Sequence, residues 1–322
     1  MTHVETAVAP QPETIHPPVP DIRWKDAPRI IASGACIGTA DLVPGVSGGT
    51  MAVALGIYRE LLAAIASVNG DALQALLRLR WKRLLTVVHW RFILSVGAGV
   101  LLALVIMGKI VGLPRLVVTN PLPVYAVFFG LVLASVYVLA KRVQQWTPAA
   151  VLALPVGTAL GFAAVQLVPV QTPETASFVF LCGMIAITAM ILPGISGSFM
   201  LLVLGKYEYV MTALFSMNLG VIVPFALGCV VGLMGFSRVL GYLIDRFHDT
   251  MVAGLTGLLA GTLIRIWPYQ RLETAVVRDK VRVIASEAYW PESVEWTIPV
   301  LALSGLALVL SVEFFAARRA ET

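Results

Sequence analysis

Residues 39–60 read TADLVPGVSGGTMAVALGIYRE, and residues 188–209 read TAMILPGISGSFMLLVLGKYEY. A constant offset of 149 residues aligns the two stretches without a gap. The identical pairs include Thr39 with Thr188, Pro44 with Pro193, Gly45 with Gly194, Ser47 with Ser196, Gly48 with Gly197 and Tyr58 with Tyr207. Apolar composition alone produces chance matches of Leu or Ala, but not of Pro, Gly, Ser and Tyr. The chain is therefore predicted to contain an internal duplication.

The composition indicates a membrane protein. Hydrophobic residues make up 58% of the 322 residues and charged residues only 13%, whereas about a quarter of a soluble domain is charged. Six apolar segments approach the ~20 residues with which an α-helix crosses ~30 Å of hydrocarbon. These predicted spans are 92–113, 122–140, 149–168, 219–243, 250–267 and 296–317. The predicted fold class is an all-α polytopic membrane protein.

Two further apolar regions, residues 29–67 and 177–217, are interrupted by the repeated motif. The breaks fall at Pro44, Gly45, Pro193 and Gly194. Proline lacks a backbone donor and glycine permits a sharp turn, so a helix ends there. The leading half of the first region, residues 29–43, would rise only ~22 Å as a helix and is too short to cross. We therefore predict two re-entrant helical hairpins; basic residues in the loops leave the alternative, a broken helix that crosses the membrane in each copy, open.

The two hairpins organise the chain into two repeats. Repeat 1 covers residues 29–168, with hairpin 29–67, an amphipathic segment at 71–91 and three spans, and repeat 2 covers residues 177–317, with hairpin 177–217 and three spans. Three spans, an odd number, separate the hairpins, so the repeats are predicted to be inverted. Arg78, Arg80, Lys82, Arg83 and Arg91 predict a cytoplasmic position for the amphipathic segment. Proline-rich residues 1–28 are predicted to be a disordered cytoplasmic tail, and both termini are predicted to be cytoplasmic.

The two motifs have the composition of an anion site. The start of each second half-helix carries backbone N–H groups without helical partners and a partial positive charge, which suits a phosphate or a carboxylate. The predicted substrate-binding residues at the two breaks are Ser47, Gly48, Gly49, Thr50, Ser196, Gly197 and Ser198. The structural alternative is that the hydroxyls only satisfy the turns and the glycines only allow close helix packing.

Charged residues flank both motifs. Arg59 and Lys206 are predicted to pair with a phosphate, and Asp41, Glu60 and Glu208 are predicted to serve in coupling or gating. A carboxylate such as Asp41 in an otherwise apolar half-helix requires a partner. The alternative for these residues is interfacial anchoring at the open end of a hairpin. No metal site is predicted.

The strings TADLVPGVSGGTMAVALGIYREL and ITAMILPGISGSFMLLVLGKYEYV resemble the polyprenyl-phosphate transporter family, long catalogued as a domain of unknown function. The resemblance covers about residues 27–317. The family's motif residues map onto Asp41, Pro44, Gly45, Ser47, Gly48, Gly49 and Thr50, and onto Pro193, Gly194, Ser196, Gly197, Ser198, Lys206, Tyr207 and Glu208.

The resemblance implies a flippase that returns undecaprenyl phosphate across the bacterial inner membrane for reuse in cell-wall synthesis. It implies a lipid partner, with the phosphate bound near the midplane between the two hairpin tips. The residues themselves predict no nucleic-acid partner, no catalytic residues and no cofactor. Coupling to H⁺ or Na⁺ and the oligomeric state are left open. Two alternatives follow from the residues alone: an integral-membrane enzyme acting on a lipid phosphate, and a carrier or channel for a small anion.

Overall fold

The computed structural model describes residues 21–43, 46–167, 172–277 and 280–320. Pro44 and Gly45 of the first predicted break, and residues 1–20 of the predicted tail, lie outside these ranges. The last residues of the predicted tail are helical rather than disordered: a 3₁₀ turn covers Trp24–Asp26, and the first α-helix begins at Ala27. Pro28 lies in the first turn of that helix, where its missing N–H and fixed φ are tolerated.

The described elements are mostly α-helical. The first half contains α1 Ala27–Asp41, α2 Gly48–Ala54, α3 Tyr58–Ser67, α4 Gly70–Leu77, α5 Trp81–Val87, α6 Trp90–Ala103 with a π-helical continuation Leu104–Ile110, α7 Leu113–Thr119, α8 Pro121–Lys141 and α9 Pro148–Val165. The second half contains α10 Ala176–Ile191, α11 Gly197–Val203, α12 Tyr207–Phe215, α13 Leu219–Arg246, α14 His248–Thr262 with a 3₁₀ continuation Leu263–Ile266, strands β1 Gln270–Val277 and β2 Lys280–Ala288, and α15 Thr297–Ala320.

The predicted spans are confirmed as helices. Within the described ranges, six helices are long and apolar enough to cross a membrane: Trp90–Ile110, Pro121–Lys141, Pro148–Val165, Leu219–Arg246, His248–Ile266 and Thr297–Phe314. The leading helices of the two interrupted regions are shorter, with 15 residues in α1 and 16 in α10. The chain is thus a helical, multi-pass membrane protein.

Two segments differ from the sequence prediction. Residues 268–295, between the last two predicted spans, contain the antiparallel pair β1 and β2. Beside this pair, the Trp267 indole nitrogen donates to the Tyr289 carbonyl at 3.1 Å. The amphipathic segment forms two short helices, α4 and α5, rather than one, because the backbone at Leu79 adopts a left-handed φ of 53°. Leu79 and Trp81 are both exposed, as expected of a segment that lies on a lipid surface.

Glycines bring α1 and α6 into direct backbone contact. A Cβ added to Gly34 would collide with the Val96 carbonyl oxygen, and one added to Gly99 with the Ile31 carbonyl oxygen. Farther along, a Cβ on Gly38 would approach the Val100 backbone at 2.9 Å. Residue numbers rise together along this contact, so α1 and α6 run in the same direction.

Helices α10 and α13 repeat this contact residue by residue. A Cβ on Gly183 would collide with the Phe225 carbonyl oxygen, and one on Gly228 with the Phe180 carbonyl oxygen. Gly183 follows its counterpart Gly34 by 149 residues, and Gly228 follows Gly99 by 129. The second pair therefore runs in parallel like the first.

The remaining spans pair across the two halves by the same device. On α8 and α15, a Cβ on Gly130 would collide with the Ala302 carbonyl oxygen, and one on Gly305 with that of Val127. On α14 and α9, a Cβ on Gly257 would collide with the Leu154 carbonyl oxygen, and one on Gly157 with that of Gly254. The offset from Gly130 to Gly257 is 127 residues, and from Gly157 to Gly305 it is 148.

The changes in offset locate one insertion in each half. The drop from 149 to 129 residues corresponds to the extra segment α4 and α5 in the first half. The rise from 127 to 148 residues corresponds to the strands β1 and β2 in the second half. Equivalent close contacts therefore recur in both halves well beyond the repeated motifs.

These contacts predict unequal effects at two glycines of α14. Gly257→Ala places a methyl group against the Leu154 carbonyl, whereas in Gly254→Ala the nearest atom, Ala153 Cβ, is 3.8 Å away. Gly257→Ala is expected to lower the free energy of unfolding by about 1–3 kcal/mol, the usual effect of overpacking. Gly254→Ala is expected to unfold at or slightly above the wild-type temperature. Thermal unfolding in detergent, followed by tryptophan fluorescence, makes the comparison, and equal midpoints would contradict the contact.

Candidate functional site

The described parts of the two motifs are in direct contact. The backbone N–H of Gly194 donates to Thr50 Oγ1 at 2.9 Å, and the Tyr58 hydroxyl donates to the Ile191 carbonyl at 2.9 Å. A Cβ added to Gly49 would lie 3.1 Å from the Met190 carbonyl oxygen. The start of α2 therefore packs against the end of α10, and polar groups from each broken helix satisfy the other.

We call the break between α1 and α2 the first tip and the break between α10 and α11 the second tip. At the first tip, side chains accept hydrogen bonds from the backbone amides at the start of α2. Asp41 Oδ1 accepts from the Gly48 N–H at 2.8 Å, and Ser47 Oγ accepts from the Gly49 N–H at 3.2 Å. Ser47 and Thr50 are buried, with 2% and 1% exposure. The amides predicted to bind phosphate at this tip are thus occupied by protein groups. Asp41 is the partner of a backbone amide here, which explains how a carboxylate is accommodated in an apolar half-helix.

The second tip is built differently. Met190 stands where the first copy has Asp41, and the Ser196 side chain makes no cap hydrogen bond to α11. The hydroxyls of Ser196 and Ser198 instead lie 2.8 Å from one another. Ser198 is exposed and Ser196 partly so. Two copies of one motif therefore form one tip closed by a carboxylate and one that presents a pair of hydroxyls.

Arg265, which the sequence does not predict as a site residue, lies beside the second tip. The Arg265 guanidinium carbon is 5.1 Å from the ring centroid of Phe199, the residue that follows Ser198. Arg265 stands at the end of the span formed by α14, where a long basic side chain is ordinarily explained by reach toward the headgroups. Only the three-dimensional arrangement places it against the motif.

The two predicted phosphate-pairing cations both have protein partners. Lys206 is 3% exposed; its Nζ donates to the Thr172 carbonyl at 2.7 Å and lies 5.8 Å from the Tyr209 ring centroid. Arg59 is half-exposed and pairs with Asp245 at 3.3 Å. Of the two, only Arg59 is accessible to a ligand in this conformation. The predicted gating residue Glu208 is exposed.

A cavity of about 300 Å³ opens beside Arg59. It lies at the end of the bundle where α8 ends and α9 begins, which we call the α8–α9 end. The lining residues are Val53, Gly56, Tyr58, Arg59, Glu60, Leu139, Arg142, Ile244, His248, Val252 and Leu255. The predicted residues Arg59 and Glu60 thus share a cavity with Arg142 and His248.

Polar contacts connect several elements at the α8–α9 end. Arg142, directly after α8, pairs with Glu313 on α15 at 3.4 Å. Asp249 at the start of α14 accepts from the backbone N–H groups of Gln144 and Gln145 at 2.8 and 3.2 Å. Nothing in the sequence around Arg142 indicates that this residue faces a cavity.

Comparison with known proteins identifies the family of the chain. A family described as undecaprenyl phosphate translocase-like matches residues 37–283. The chain belongs to this family. The resemblance predicted from the two motifs is therefore confirmed.

Two relatives carry the name polyprenyl-phosphate transporter. The protein from Vibrio cholerae serotype O1 is 34% identical over 299 residues, covering 88% of this chain and 95% of that protein. The protein from Staphylococcus aureus is 30% identical over 257 residues, covering 74% of this chain and 85% of that protein. No solved structure matches the chain.

The hydrogen bond between Gly194 and Thr50 can be tested by mutation. Thr50→Val keeps the shape of the side chain but leaves the buried Gly194 N–H without its acceptor, and is expected to cost about 1–3 kcal/mol of unfolding free energy. Thr50→Ser retains the hydroxyl and is expected to unfold closer to the wild type. The measurement is the thermal unfolding midpoint of each purified variant. A valine variant as stable as the serine variant would show that the hydrogen bond does not join the tips.

Proposed function

We propose that the chain is a translocase that moves a polyprenyl phosphate between the leaflets of a bacterial inner membrane, and that undecaprenyl phosphate returned for cell-wall synthesis is its physiological cargo. Family membership and the printed names of the two relatives support the substrate class. The observation that carries the proposal is the meeting of two broken helices at Thr50 and Gly194. Irregular backbone at membrane depth is tolerated where it is buried in protein or lines a polar path.

The direction of the helices supports re-entrant hairpins. Helices α1 and α6 run in parallel, and so do α10 and α13. Two parallel helices in succession require the chain between them to return to the end from which it started. In our proposal α2 with α3, and α11 with α12, are these returning limbs.

The count of spans supports an inverted arrangement of the two hairpins. Three membrane-length helices, α6, α8 and α9, lie between α1 and α10. After an odd number of crossings, α10 enters from the membrane face opposite to that of α1. Inverted repeats that meet near the midplane allow one site to face either side in turn.

The cargo presents one obstacle to crossing, its phosphate. A phosphate monoester carries about −1.5 to −2 charges near neutral pH, and burying an unpaired charge in hydrocarbon is very unfavourable. The isoprenoid tail is apolar and can stay in lipid beside the helices. We propose that the headgroup passes the paired hydroxyls of Ser196 and Ser198, with Arg265 supplying positive charge, and that Asp41 gates the first tip.

Binding of the lipid does not by itself supply the free energy for its net transport. In this proposal the lipid moves down its own gradient or with a coupled H⁺ or Na⁺, and Asp41, Glu60 or Glu208 carries the coupling. Comparing transport with and without each ion gradient distinguishes these cases.

The experiment uses the purified chain in liposomes that contain a prenyl phosphate. A phosphatase added outside removes phosphate from the outer leaflet only, unless the protein brings the inner lipid outward. Wild-type protein is expected to make the whole pool accessible. The double variant Ser196→Ala with Ser198→Ala is expected to slow this by about tenfold or more, the usual effect of losing hydrogen bonds to a charged group.

The control for the double variant is Ser304→Ala, a serine-to-alanine change on α15, where Ser304 Oγ donates to its own helix. It is expected to transport at the wild-type rate. A folded wild-type protein that leaves the inner pool protected would rule out the proposed function. Wild-type transport by the double variant would rule out only the role given to the second tip.

A further inference from the structure

The cavity at the α8–α9 end is lined by two arginines that come from different helices. Arg59 is the second residue of α3, and Arg142 follows the last residue of α8. The His248 ring also lines the cavity, with its Nδ1 3.4 Å from Asp249 Oδ1. Valine, leucine and isoleucine side chains from α2, α8, α13 and α14 line the cavity as well, together with Gly56, Tyr58 and the Glu60 carboxylate. Clustered guanidinium groups beside apolar side chains suit a phosphate attached to a hydrocarbon chain.

We propose that this cavity is a second binding site for a phosphate monoester headgroup, on the α8–α9 side of the tips, and that Arg59 and Arg142 bind the phosphate there. The inference rests on the proposed transport function and adds a second binding position and a residue, Arg142, to it. The headgroup class is the same for a lipid phosphate and for inorganic phosphate, and the geometry favours the lipid because most of the lining is apolar.

Both arginines retain the capacity to bind an anion. Arg59 contacts Asp245 through one nitrogen at 3.3 Å, and Arg142 contacts Glu313 through one nitrogen at 3.4 Å. A guanidinium carries five N–H donors and can bind an oxyanion through two of them at once. The four side chains are between 36% and 46% exposed. Pairs as exposed as these contribute only about 0–1 kcal/mol, so a phosphate with more charge than a carboxylate can displace Asp245 or Glu313.

Gly56 provides the space in which Arg142 lies. The backbone of Gly56 adopts a left-handed φ of 71°, and a Cβ there would lie 3.1 Å from Arg142 Nη2. A side chain at this position would therefore be strained and would press on the guanidinium. The glycine lets the turn between α2 and α3 approach the arginine closely.

The cavity is connected to the tips by one short helix. Thr50, which contacts the second motif, and Val53, which lines the cavity, both lie on α2. From Thr50 to Gly56 the chain rises about 9 Å if it is helical throughout. A headgroup bound at Arg142 is thus one helix length from the place where the two motifs meet.

The size of the cavity fits a headgroup rather than a whole carrier lipid. Its volume of about 300 Å³ is at the lower limit of ordinary ligand pockets, which run from about 300 to 1,000 Å³. A phosphate with the first part of a prenyl chain fills this space, while the remaining isoprene units stay in the surrounding lipid.

The two ion pairs also connect phosphate binding to a movement of one half of the chain relative to the other. Arg59–Asp245 joins α3 to α13, and Arg142–Glu313 joins α8 to α15. Each pair therefore links the first half of the chain to the second. A phosphate that draws the arginines away from their carboxylates removes both links at the α8–α9 end.

The test measures binding of geranyl phosphate, a water-soluble prenyl phosphate, to full-length protein in nanodiscs by titration calorimetry. Arg142→Gln is expected to weaken binding by about tenfold, as expected for one charge-assisted contact. Glu313→Gln removes the competing carboxylate and is expected to strengthen binding, an effect that general damage to the fold would not produce. Arg246→Gln, an equal change of charge at an exposed position near the same end that does not line the cavity, is expected to bind like the wild type.

Two further ligands identify the source of the phosphate. Geraniol, which lacks the phosphate, is expected not to compete with geranyl phosphate, and inorganic phosphate is expected to compete only weakly. Inorganic phosphate that binds as tightly as geranyl phosphate would overturn the assignment to a lipid headgroup. Unchanged affinity in both Arg142→Gln and Glu313→Gln would overturn the site itself.

The binding measurements and the transport assay can fail independently of one another. If wild-type protein exposes the inner pool of prenyl phosphate but Arg142→Gln and Glu313→Gln bind geranyl phosphate as the wild type does, only the binding site in the cavity is wrong. If the cavity binds geranyl phosphate in the predicted order of variants but wild-type protein moves no lipid, only the proposed transport function is wrong.

Discussion

The structure depends on how two broken helices satisfy their backbone groups in an apolar environment. An unpaired amide in hydrocarbon costs several kcal/mol, and described donors at both breaks have partners in the protein. Thr50 accepts from Gly194 of the other copy, and Asp41 accepts from Gly48 of its own. The contact between copies requires both leading helices to end close together. Parallel pairs packed through glycine hold these helices in position.

The two halves of the chain share their helix packing but differ at the tips, and the proposed function depends on this difference. The close glycine contacts recur in both halves at offsets that change only where one half carries an inserted segment. The tips do not recur in this way, because Asp41 caps the first and Met190 replaces it in the second. A carboxylate repels a phosphate, whereas paired serine hydroxyls can donate to it. In our account, a headgroup therefore meets different chemistry on its way past each tip.

Much of the architecture follows from the sequence because hydrophobic length and repeated Pro and Gly residues are local signals. They predict the six long helices and the two interrupted regions. Lys206 shows the limit of such signals: beside a repeated tyrosine it resembles a phosphate ligand, yet it is buried and bonded to Thr172. Arg142 and Arg265 show the reverse, since each lies at the end of an ordinary span and gains its position only through packing against another element. The strands β1 and β2 lie in a charged segment between two spans, and its composition does not distinguish paired strands from a loop.

The claim on which the account rests is that the two hairpins enter from opposite faces of the membrane. Val68 and Met217 occupy equivalent places in the two copies, 149 residues apart, and both are exposed. Val68→Cys and Met217→Cys, each in a chain whose three natural cysteines are replaced by alanine, are treated with a membrane-impermeant maleimide in membrane vesicles of known orientation. The account predicts that the two cysteines are labelled from opposite sides, with the cysteine at 68 on the side of α4 and α5. Labelling of both from the same side would contradict it.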